Sequence, residues 1–210
     1  GEEVTAKILG SKAWHGGEVG VHLNGIGISR VVEPVNTEKV VETLQANVDA
    51  IIKAGGIAQI NHPNASWALD HEDITQVRGA SLFEVYNGGP GANNEGGRGK
   101  HSAEDMWDHV LSAGQVIFGV ATDDSHHYSD FSSNMANPGR GWVVVKASDL
   151  STEAVVDSLA TGQFYFSTGI ELARLDMSDQ AVSLEIVQLR DCIYHTRFIG
   201  KDGMVLSDSD

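Results

Sequence analysis

The stretch VIFGVATDDSHH, residues 116–127, decides how this chain is read. Val116–Ala121 is a short apolar run of the kind buried on both faces of a sheet, and it ends abruptly in Thr122-Asp123-Asp124. The same pattern occurs twice upstream: Ile57–Ile60 runs into Asn61-His62-Pro63, and SLFEVY, residues 81–86, runs into Asn87-Gly88-Gly89. Helical patterns alternate with these runs. Val40, Val41, Leu44, Val48, Ile51 and Ile52 recur at helical spacing, with Thr37 as the N-cap candidate and Gly55-Gly56 as the stop. Ser102–Ser112 carries Met106, Trp107, Val110 and Leu111 as an apolar stripe, with Ser102 as its cap. Short apolar runs separated by helices predict an α/β fold with a parallel sheet, open or closed into a barrel.

Working outward, Val4–Leu9 reads as a strand, and VGVHLNGIGI, residues 19–28, as a strand pair bent at Asn24-Gly25. Val143–Val145 is a fourth buried strand and Thr152–Leu159 a short helix. Beyond about residue 170 the helices stop and alternating strands follow one another, with Lys201-Asp202-Gly203 as a hairpin turn. The division expected is a main domain over 1–170 and a partial β appendage over 171–210. The glycine-rich stretch NGGPGANNEGGRGK, residues 87–100, is too flexible for a core.

Composition narrows the function. The 210 residues carry 14 Lys+Arg against 29 Asp+Glu, a formal charge of −15, which argues against a nucleic-acid partner. Hydrophobic content of 41% excludes a disordered acidic chain, and no apolar run approaches the roughly 18 residues of a membrane span. With one cysteine, Cys192, and nine histidines, any metal site must be built from nitrogen and oxygen ligands.

Polar residues gather where the apolar runs end: His62, Asn87, and Asp124 with His126. In α/β folds ligands bind beyond the carboxyl ends of parallel strands, where loops converge. On an extended backbone Asp124 and His126, two apart, share a face and can reach one ion. Imidazole with carboxylate suits zinc, manganese or iron better than calcium or magnesium. His71, His101, His109 and His195 belong to no motif and read as structural or surface residues, as does His15.

Five segments together resemble the PHP superfamily, named for polymerase and histidinol phosphatase domains, and within it the carbaryl-hydrolase-like branch. They are Gly1–Thr5 (G-x-E-[IV]-T), Val21–Gly27 (H-x-N-x-x-G), Ile60–Pro63 (I-N-H-P), Phe83–Gly88 (E-V-x-N-G) and Asp124–His126 (D-x-H). The resemblance implies a distorted (β/α)7 barrel with divalent ions at its strand ends, and Glu3, His22, His62, Asp124 and His126 as metal ligands. One to three ions of zinc, manganese or iron are the expected cofactors, and a small phosphorylated or ester compound the expected substrate. Arg140, in Pro138-Gly139-Arg140-Gly141, is the expected substrate contact.

The family's H-x-H strand and a second strand ending in Asp-His have no counterpart before Gly1. The expectation is therefore an incomplete barrel, truncated at both ends and weak in activity, whose exposed edges favour a homo-oligomer. The function expected is phosphate-ester hydrolysis by a metal-activated water. The alternatives are carbamate or amide ester hydrolysis on the same metal site, or a catalytically incomplete remnant that binds a ligand or partner.

Overall fold

Three short parallel strands carry the centre of the fold, each made by one of the apolar runs. The computed structural model describes residues 4–8 and 20–209. In chain order the strands are β1 (Val4–Ile8), β2 (Val21–Ile26), β3 (Ile57–Ile60), β4 (Ala80–Asn87) and β5 (Phe118–Thr122), which form a five-stranded sheet in that same spatial order. The β3–β4 and β4–β5 pairs are parallel, whereas β1–β2 and β2–β3 are antiparallel. The helices are α1 (Val40–Lys53), α2 (His71–Ile74), α3 (Ala103–Ser112) and α4 (Thr152–Ala160).

Period-two alternation sorts the core onto two faces of the sheet. Leu23, Ile60 and Phe83 point to one side and pack with Leu44, Val48 and Ile51 of α1, Ile74 of α2, and Met106 and Val110 of α3. Leu82 and Val120 point to the other side, against Leu159 and Val155 of α4 and Val143, Val145 and Phe164. Those last three belong to an antiparallel ribbon of β6 (Trp142–Val145) and β7 (Phe164–Ser167). Two further hairpins follow, β8 (Leu172–Met177) with β9 (Val182–Ile186), and β10 (Thr196–Ile199) with β11 (Val205–Ser209). The turn Lys201–Gly203 rests on α3, where the Asp202 N–H donates to Ser112 Oγ at 2.7 Å.

The expected (β/α)7 barrel, complete or incomplete, is not what forms. The sheet is mixed and open, and β6 and β7 pair with each other instead of extending it. The cause lies in the connections. Closure needs successive parallel strands joined by crossover helices, but β1, β2 and β3 meet antiparallel, and residues 123–141 after β5 contain no helix.

The bend expected at Asn24-Gly25 is also absent: β2 runs straight through it, with Asn24 opposite Thr5 and Gln59. Glycine is needed there for packing, since a Cβ on Gly25 would lie 3.0 Å from Ile28 and 3.3 Å from Ile51. Helix α1 starts later than Thr37 suggested; its N-cap is Lys39, while the Thr37 hydroxyl bonds to that of Thr43 at 2.9 Å. Ser102 does cap α3, in a reciprocal capping box with Asp105.

Candidate metal centre

The carboxyl ends of β3, β4 and β5 open onto two adjoining cavities of about 450 and 550 Å³ that share His22, His62, Asn87, Asp124 and His126 as lining. His62 follows β3 directly. His22 reaches the same end because β2 is antiparallel to β3, so that the start of one strand lies beside the end of the other; the Asn61 N–H donates to the His22 carbonyl at 3.1 Å. The two imidazoles meet edge to face, with His22 Nδ1 2.9 Å from His62 Nε2.

Beneath them lies Glu84, 3% exposed. Its carboxylate accepts the His62 backbone N–H at 2.5 Å, the Asn87 side-chain amide at 3.0 Å and the Thr122 hydroxyl, which joins the ends of three strands. A β-bulge makes this arrangement. Residues three apart on a regular strand face opposite sides, but the register of β4 against β5 shifts between Glu84 and Tyr86, which brings Glu84 and Asn87 together. Burial pushes the Glu84 carboxyl above its usual range, against the opposing pull of its Thr122 and Asn87 hydrogen bonds.

After β5 the chain turns sharply. Asp124 has φ +47°, so Asp124-Ser125-His126 is not the extended segment its spacing suggested, yet both side chains line the cavity. Asp123 shapes the loop by accepting from the Ser125 hydroxyl at 3.0 Å and the Gly139 N–H at 3.1 Å. His126 Nδ1 lies 2.5 Å from the Asp124 carbonyl; a proton there makes Nδ1 the donor and leaves Nε2 as the ligand atom. His62 has φ +23°. His62 and Asp124 are two of seven non-glycine residues with positive φ among the described residues, and both line the cavity.

The four side chains line one cavity without converging on a point: among the described residues no three of their ligand atoms lie within 4.8 Å of one another. Nitrogens held roughly 2.0–2.1 Å from one ion lie about 2.9 Å apart in octahedral and about 3.3 Å apart in tetrahedral coordination. The 2.9 Å between His22 and His62 falls in that range, but it is a hydrogen bond between the two rings, so one ring must turn before both nitrogens can face a common ion. Of the residues expected here, His22, His62, Asp124 and His126 share the cavity, and Glu3 lies outside the described residues. Arg140 is absent from the lining. Its guanidinium donates to the Ser132 carbonyl at 2.8 Å and to Asn137 Oδ1 at 3.0 Å, bracing the loop that follows β5.

Sequence reasoning missed Glu84 as part of the site. The signal present was an acidic residue inside an otherwise apolar strand, where a charge is costly unless it is satisfied. Comparison of the chain with protein-family models, curated proteins and solved structures found no match.

Proposed function

We propose that this protein hydrolyses phosphate esters with divalent metal ions held by His22, His62, Asp124 and His126, as its resemblance to the PHP superfamily suggests. The observation that carries the reading is that these four side chains, from three separate segments of the chain, line one concavity at the strand ends. A bound divalent ion would supply a water of lowered pKa and a Lewis acid for a phosphoryl oxygen.

The chain's own groups prepare that site. The Glu84 carboxylate fixes the His62 backbone, and the Asp124 carbonyl sets the His126 tautomer. Asn87 Oδ1 accepts the Gly89 N–H at 2.7 Å, which shapes the glycine-rich rim. A chain of charge −15 repels phosphate at long range, and divalent ions in the cavity would offset this locally.

The test is hydrolysis of an aryl phosphate after loading with Mn²⁺ or Zn²⁺, with metal content measured in parallel. His62→Ala and Asp124→Ala are each expected to lower metal affinity and turnover by more than about 100-fold, since even the outer partners of metal ligands cost roughly 10–100-fold. Turnover of an aryl carbamate but not the phosphate would replace the phosphoesterase reading with carbamate hydrolysis. Stoichiometric metal without turnover of either substrate would overturn the hydrolase reading.

A further inference from the structure

Away from the cavity, three histidines meet between two helices. His71 opens α2, His101 immediately precedes the Ser102 cap of α3, and His109 lies two turns into α3. Ring centroids are 4.4 Å apart for His71–His109, 4.9 Å for His101–His109 and 5.1 Å for His71–His101. One ring nitrogen from each lies within 4.8 Å of the other two. None of the three lines the strand-end cavity.

The cluster is poorly explained as packing alone. Among the described residues no hydrogen bond joins the three rings, and His71 Nδ1 is buried without any partner. A buried polar nitrogen with nothing to bond is rare, because its desolvation is uncompensated. Asp105 lies four residues from both His101 and His109, and these two histidines help to lower its pKa, so a carboxylate charge stands close by.

We propose that His71, His101 and His109 form a second metal site, which binds one zinc-like ion through three imidazole nitrogens and ties α2 to α3. Contraction of the nitrogens from within 4.8 Å of one another to the roughly 3.3 Å of tetrahedral ligands is within reach of side-chain rotation, because His101 and His109 are exposed. An all-imidazole set selects zinc, cobalt, nickel or copper over manganese and magnesium, which prefer oxygen. The fourth position is open to water or an external ligand. This site does not depend on the hydrolytic reading of the cavity.

The experiment isolates it in the full chain by removing two of the four other candidate ligands. In a His62→Ala/Asp124→Ala background, the metal-free protein is titrated with Zn²⁺ by calorimetry and with Co²⁺ by visible spectroscopy. One ion per chain is expected, with a tetrahedral cobalt spectrum and imidazole scattering in zinc X-ray absorption. Adding His109→Gln or His101→Gln, both at exposed positions, should each weaken that ion by more than about 100-fold and abolish the zinc-dependent rise in Tm. Circular dichroism verifies that the helices persist. Absence of zinc binding in the background protein, or an unchanged affinity in both added variants, would overturn the proposal.

Discussion

Thr122 shows how much a single hydroxyl can carry in this site. It donates to a carboxylate that burial has already made expensive, and its backbone carbonyl accepts the Gly88 N–H at 2.8 Å. Thr122→Val keeps the branched shape and removes the donor, so it should cost about 1–3 kcal/mol, read as a lower denaturation midpoint at an unchanged m-value. At this scale His62 and Asp124 were legible, because each ends an apolar run where a turn residue alone would serve. Glu84 was not. Its three-residue spacing from Asn87 puts the two on opposite faces of a regular strand, and only the bulge in β4 reverses that. The histidine cluster was hidden for another reason: His71 and His101 are brought together by the packing of α2 on α3, which no local spacing encodes.

Among the elements, the loop after β5 and helix α3 make the sharpest tests. Gly141 returns the chain so close to β5 that an added Cβ would lie 2.7 Å from the Thr122 carbonyl oxygen. Backbone cannot yield there as a flexible side chain could. Gly141→Ala should therefore cost about 1–3 kcal/mol through overpacking and weaken the metal binding proposed for the cavity by shifting Asp124 and His126, both measurable in one calorimetric series. In α3, hydrogen bonds from Ser102 hold the Asp105 carboxyl below its ordinary value. The unfolded chain thus takes up this proton before the native one as pH falls. The contribution is complete above the ordinary aspartate pKa and is lost as pH falls through the lowered native value. Asp105→Ala should flatten that part of the stability–pH curve. Its cost at neutral pH should lie in the lower half of about 0.3–1.5 kcal/mol, because the group is exposed. The strands and helices themselves were largely readable from periodicity. Helix α2 was not, since four residues hold too little of a helical period to register.

For the whole molecule, the sandwiching of one sheet between α1–α3 and the α4 ribbon layer sets a gradient of stability. Leu23, Ile60, Leu82 and Phe83 are fully buried, whereas every residue of β11 is exposed. Amides of β3, β4 and β5 should exchange only through global unfolding, and those of β8–β11 through local openings at far lower free energy. Equal protection across both regions in a native-state exchange experiment would contradict this gradient. The alternation of strand and helix made an α/β sheet legible but could not distinguish an open mixed sheet from a barrel. Closure is decided by pairing direction at the first three strands and by the helix-free connection over residues 123–141.

The Glu84 hydrogen bonds also bear on which strand register the sheet can adopt. The carboxylate finds its donors only when β3, β4 and β5 have reached their native registers, bulge included. A sheet paired with one strand slipped would bury that carboxylate without its donors, which disfavours the slipped register relative to the native one. The residue that lies beneath the candidate centre thereby also favours one strand register over its neighbours.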